Sequence, residues 1–181
     1  MHALSKDELR RLLAAARKVR QRDWLMILVA FHHGLRASEV TGFTAEAVPD
    51  GHLTIQRLKG SLKTTQPLMV SADPLFNEKS SLIELARKSK PGQRVFGIGR
   101  VQFWRLVQRY ARAAGISAHK AHPHILKHSI AMQTIASAGI ENVRQHLGHK
   151  SLSSTGAYLR VNDEEASTAV ARALNDPKPG S

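Results

Sequence analysis

His124, Lys127 and His128 stand at i, i+3 and i+4, so any helix containing them puts all three on one face. Two imidazoles and an ammonium are expected to face solvent, a metal or an anion rather than a core. A second pair, His146 and His149, flanks Leu147 and Gly148, and six of the ten histidines lie between positions 119 and 149. Scattered surface histidines are the plainest explanation. A zinc site of histidines alone would lack the acidic or thiolate ligand usual in such centres, so no metal is expected. A third reading is a phosphate site, with neutral and charged donors converging on one anion. Tyr158 lies nine residues beyond His149 on a polar stretch rich in serine. A phenol loses its proton near pH ~10 when unperturbed, so its oxygen attacks phosphorus only with cations beside it. Arg36 follows Gly34-Leu35, and Glu39 three residues on can hold its guanidinium as a planar fork for two phosphate oxygens. Lys59, in the turn-like run 59–61, carries a flexible ammonium that can reach outward.

The charge of the chain agrees with an anionic partner. Among 181 residues, Lys plus Arg number 27 and Asp plus Glu 14, a formal charge of +13. No acidic residue occurs from position 85 to 140, whereas Arg100, Arg105, Arg109, Arg112 and Lys120 all do. Solvated helix faces usually mix both signs, so this stretch points to a polyanion such as a nucleic-acid backbone. With 42% apolar and 23% charged residues the chain has the composition of one globular domain and not of a disordered one. The absence of cysteine excludes disulfides and thiol chemistry and suits a cytoplasmic setting. The longest apolar run, residues 24–31, is too short to span a bilayer, so no membrane partner is expected. Arg10, Arg11, Arg17 and Lys18 interrupt any apolar leader near the start.

The elements that would carry these residues are mostly helical. Ser5 and Glu8 form a capping box for a first helix with Leu9, Leu12, Leu13 and Ala16 on one face. A buried helix over 23–33 stops at Gly34, and a third begins near Ala37. Alternation over 52–58 predicts a half-buried strand, and 67–70 its antiparallel return. Helices are predicted over 75–88, 100–114 and 124–138, with a short one ending at Leu147 before Gly148. A short helical segment over 151–161, a last helix over 162–174 and a tail over 175–181 complete the pattern. The fold class is therefore mainly α with a small antiparallel β-sheet, in one domain over 1–174.

Together these pieces resemble the tyrosine recombinases, the phage-integrase family. Gly34-Leu35-Arg36-Ala37-Ser38-Glu39-Val40 is similar to the family's first signature. His124-Ile125-Leu126-Lys127-His128 is similar to its His-x-x-Arg motif, and Leu147-Gly148-His149 followed by Tyr158 to its third signature and nucleophile. The resemblance spans about 4–174. It implies that Arg36 clamps the scissile phosphate of duplex DNA and that Lys59 protonates the leaving 5′ oxygen, with Lys63 as the rival. It implies that His124 acts on the tyrosine proton and on the phosphate, that His149 donates to non-bridging oxygens, and that Tyr158 forms a 3′-phosphotyrosyl link. Glu39, His128 and His146 are supporting residues, and Lys63, Arg100, Arg105, Arg109, Arg112 and Lys120 are candidate DNA contacts.

One position departs from the family pattern. Lys127 stands where a second arginine is usual, which keeps the charge and loses the fork. Such a loss can cost on the order of 100-fold in rate. The main expectation is a site-specific DNA recombinase of the integrase type that needs no cofactor. It would act as a homo-oligomer, a tetramer on DNA and a monomer in solution. The processes implied are DNA recombination and integration, as in a mobile genetic element, in the cytoplasm with the nucleoid. The alternatives are a catalytically weak DNA-binding or regulatory relative, a simple helix-turn-helix binder, or a type IB topoisomerase. The N-terminal core-binding domain usual in the family is not expected, as in an excised fragment or the short fimbrial-switch type.

Overall fold

The computed structural model describes residues 3–57 and 62–150. Lys59, Tyr158 and the segments expected over 151–181 lie outside the described residues.

The first helix, α1 (Lys6–Val19), starts where the sequence says it should. Ser5 Oγ accepts the Glu8 amide and the Glu8 carboxylate accepts the Ser5 amide, which satisfies two N–H groups that the first turn leaves over. Its Leu9, Leu12, Leu13 and Ala16 are buried against α2 (Gln21–His32). Residues 24–30 of α2 are all at most 2% exposed, so this helix is apolar all round and forms the centre of the core. It begins two residues earlier than expected, because extended Arg20 caps it directly.

Gly34 ends that helix with φ +57°, a conformation that L side chains rarely adopt, and α3 (Ala37–Gly42) follows at once. A two-stranded antiparallel hairpin comes next, β1 (His52–Ile55) and β2 (Thr64–Pro67), paired from His52 with Pro67 to Ile55 with Thr64. The return strand, expected over 67–70, lies over Thr64–Pro67 instead, and just beyond it the Leu68 amide donates to the Gly51 carbonyl. Its inward residues are the polar Thr64 and Gln66, so the hydrophobic pattern that marks a strand is missing. The helix expected over 75–88 likewise starts later, as α4 (Lys79–Lys88). Asp73 Oδ1 holds the Leu75 amide, and the Leu75 carbonyl accepts the Trp24 indole N–H, so that turn is committed to tertiary bonds.

Three helices complete the described fold: α5 (Arg100–Ala113), α6 (His124–Ala138) and α7 (Ile140–Leu147). Phe103, Leu106, Val107 and Tyr110 of α5 are buried, as their spacing predicts. Helix α6 packs on α2 and on α7, which closes the bundle against the hairpin. Among the described residues no helix is long and apolar enough to cross a membrane.

Candidate functional site

Arg36 is the residue that caps α3, and its orientation is set locally. Glu39 Oε2 accepts the Arg36 amide at 2.8 Å and Oε1 accepts its Nη1 at 3.2 Å. The Glu39 side chain is fully buried while about a third of the Arg36 side chain is exposed, so the guanidinium is held from the buried side.

Behind Arg36 lies a residue that sequence reasoning missed. Arg57 is 3% exposed and uses every N–H it has. Nε donates to Thr64 Oγ1, Nη1 to the Gly34 carbonyl and to Glu39 Oε2, and Nη2 to the carbonyls of His33 and His146. Burial draws its pKa down and the Glu39 carboxylate opposes this, keeping the ion paired. One guanidinium thereby ties the hairpin, the α2–α3 junction and the end of α7 together. A signal was present: Arg57 continues the inward-facing series Leu53 and Ile55, and a charge on the buried side of a strand requires buried partners.

Around that joint a second polar network extends through the core. Glu78 is fully buried and its oxygens meet His32 Nδ1 at 2.9 Å and His33 Nε2 at 2.6 Å, with the Met69 amide at 2.9 Å. Burial alone would raise its pKa; the bonds from the two histidines outweigh this and hold it down to about 2. Gln66 Nε2 donates to the His146 carbonyl, so its Oε1 faces His33 Nδ1 at 2.6 Å. His33 therefore meets an oxygen acceptor at each ring nitrogen. His146 donates from Nε2 to the His32 carbonyl, and burial lowers its pKa.

The face read from His124, Lys127 and His128 splits. Lys127 was expected to project outward and is instead buried, 2% exposed, with Nζ donating to the Leu147 carbonyl at 3.0 Å. A long apolar stem buries well when its ammonium finds an acceptor, here an orphan carbonyl at the end of α7. Burial, then Arg57 and Arg36, push its pKa down to about 7 against the pull of Glu39. His124 is exposed and His128 half-buried, their rings edge to face with centroids 4.3 Å apart. Burial of part of the His124 ring, then the positive neighbours His128, His122, Lys127 and Arg36, push its pKa down to about 4.

His149 reaches the same place from the far side. Gly148 stops α7 in the left-handed region at φ +67°, and a Cβ there would meet Arg57 Cγ at 2.9 Å and the Leu62 carbonyl at 3.0 Å. Only glycine allows this approach, and it lets the Leu62 amide donate to the Gly148 carbonyl. His149, 7% exposed, then sits near Lys127, Arg36, Arg57 and Arg144, and burial followed by these charges lowers its pKa to about 4.

The structure therefore brings Arg36, Glu39, His124, Lys127, His128, His146 and His149 into one region. The candidate DNA contacts are more dispersed. Arg100 shares a surface pocket of about 590 Å³ with Arg36, His122 and His124. Lys63, Arg105 and Arg112 are exposed. Arg109 lies over the Tyr110 ring and bonds its hydroxyl, 3.6 Å from Asp23, and Lys120 is paired with Glu8 of α1 at 2.8 Å. Among the described residues no group of three or more His, Asp or Glu is placed to hold a metal ion.

Comparison with known proteins bears on the family and the fold. Tyrosine recombinase XerA of Pyrococcus furiosus is 31% identical over 94% of this chain and 61% of its own length. A crystal structure of a XerA recombinase superposes with a TM-score of 0.71 at 21% identity, over 99% of this chain and 64% of that one. The XerH site-specific recombinase bound to its difH substrate superposes with a TM-score of 0.72 at 19% identity, over 94% of this chain and 54% of that one. The chain spans about three fifths of the length of the curated relatives it matches first. Residues 2–165 match the phage integrase family, and the chain belongs to that family.

Proposed function

We propose that this chain is the catalytic domain of a site-specific tyrosine recombinase, which cleaves and rejoins duplex DNA through a 3′-phosphotyrosyl intermediate. The observation that carries the reading is the convergence of Arg36, His124, Lys127 and His149 although they are up to 113 positions apart in sequence. Arg36, held by Glu39, clamps two oxygens of the scissile phosphate. His124 and His149, with pKa values near 4, are neutral at pH 7 and can both accept and donate. His124 receives the phenol proton as Tyr158 attacks phosphorus; His149 donates to a non-bridging oxygen. Lys59, with Lys63 as its rival, returns a proton to the leaving 5′ oxygen. Lys127 stands behind them in the place of the second arginine, where burial and then the charges of Arg57 and Arg36 draw its pKa down to about 7. One phosphodiester replaces another, so neither a nucleotide cofactor nor a hydrolytic water takes part. Fixed cations spread the charge of the transition state. Lys63, Arg100, Arg105, Arg109, Arg112 and Lys120 are the proposed contacts to the DNA backbone, and a homo-oligomer, a tetramer on DNA, is the proposed working assembly.

A nicked suicide duplex tests this. The expected result is a covalent protein–DNA adduct that Tyr158→Phe abolishes while binding persists. Strong, salt-dependent binding with no adduct from the unaltered chain would instead identify the catalytically weak relative, which the burial of Lys127 against the Leu147 carbonyl would then explain.

A further inference from the structure

Helix α5 buries one apolar stripe and exposes a second. Phe103, Leu106, Val107 and Tyr110 go into the core, yet Val101 is 61% and Trp104 45% exposed. These two lie side by side, one turn from Arg100. They form the apolar wall of the 590 Å³ pocket whose other side is Arg36, His122, Pro123 and His124. That volume lies in the range of sites that take small organic ligands. The other tryptophan, Trp24, is 1% exposed and bonded through its indole N–H, so the chain buries a tryptophan where it has a core for it. An open indole face beside two guanidiniums is the arrangement that single-stranded nucleic-acid sites use: charge for the backbone, a flat ring for the base.

We infer that this pocket binds an unpaired nucleotide adjoining the clamped phosphate, its base stacked on Trp104 and packed against Val101, its phosphate between Arg100 and Arg36. The inference rests on Arg36 as the phosphate clamp. Charge selects the occupant: the rim is cationic, and the pocket contains no acidic residue that would repel a phosphate. Strand exchange requires bases beside the break to leave their partners, and a ring that receives one offsets part of the cost of unpairing. Stacking on an aromatic side chain is worth roughly 5- to 150-fold in affinity and tolerates any base.

The test uses the full chain with two fluorescent 20-bp DNA probes of mixed sequence, one fully paired and one carrying a single-nucleotide bulge, compared by anisotropy and by quenching of protein fluorescence. The bulged duplex is expected to bind about 10-fold tighter and to quench the tryptophan emission, because Trp24 is shielded and Trp104 is not. Trp104→Ala is expected to bring the affinity ratio close to one. Trp104→Phe keeps a preference and loses the quenching, which separates stacking from a folding defect. A paired duplex bound with salt dependence, but with no preference for the bulge or with a preference that survives Trp104→Ala, overturns the inference and leaves the recombinase reading standing. Failure to bind either probe overturns both.

Discussion

Replacing Gly34 with alanine perturbs the fold and the site at one point. Gly34 has φ +57°, and a Cβ built on it would lie 2.4 Å from Leu147 Cδ2. Carbon atoms in contact prefer about 3.5–4.0 Å, so the pair must separate by more than 1 Å. Leu147 has no room to swing, since it is fully buried against Val143 and Ala131. Its carbonyl also holds Lys127 Nζ, and the carbonyl of the next residue holds the Leu62 amide. The left-handed backbone costs an L residue about 1–2 kcal/mol, and overpacking a closed core costs about 1–3 kcal/mol. Gly34→Ala is therefore expected to lose about 2–5 kcal/mol, which in a chain of this size lowers Tm by roughly 5–15 °C. Thermal unfolding followed by circular dichroism measures it. Leu147→Ala supplies the control: it removes the colliding methyl groups, so the double variant should lose clearly less than the sum of the two single losses. A Gly34→Ala protein that melts within 2 °C of the parent, or losses that simply add, would refute the argument.

Other expectations follow from the buried charges. Arg57→Met takes one cation from the buried Glu39 carboxylate, which keeps Arg36, and removes the donors to the Gly34 and His33 carbonyls, and should cost about 3–5 kcal/mol in urea unfolding; a loss below about 1 kcal/mol contradicts the joint described here. Lys127 has a folded pKa near 7 against an ordinary 10.5, so between those values the unfolded chain binds the extra proton and stability rises with pH. The slope should be at most about 1.4 kcal/mol per pH unit, and Lys127→Met should flatten it in pH-dependent denaturation. If the ammonium also serves cleavage, adduct formation declines as pH rises through 7, whereas Lys127→Arg stays flat to pH 9 in the same suicide assay. His149, with a folded pKa near 4 against 6.5, works at the acid side: stability falls as pH drops from 6.5 to 4, and His149→Gln should make that fall shallower.

Much of this molecule was legible in its residues. The capping box at Ser5 and Glu8, the stops at Gly34 and Gly148 and the stripe of α5 act over a few neighbours, so local chemistry suffices to place them. The second strand was misplaced for the opposite reason. Thr64 and Gln66 face inward because Arg57 and His33 need them, and those partners are set by the tertiary fold. Lys127 misled in the same way: its charge argued for solvent, and only the arrival of the Leu147 carbonyl makes burial tolerable. Motif spacing singles out Arg36, His124 and His149 as candidates, whereas Arg57 and Glu78 belong to no motif, and their bonds form only when separated segments meet.

The five-pronged grip of Arg57 also bears on how the protein is made. Its acceptors at His33 and Gly34 leave the ribosome before it, but the carbonyl of His146 follows 89 positions later. Until α7 emerges, the nascent chain holds a cation with one of its five acceptors still to come, and closing the bundle early would seal that N–H in unbonded. Synthesis should therefore keep the hairpin side of the domain open until α7 arrives, so that the joint behind Arg36 is completed late.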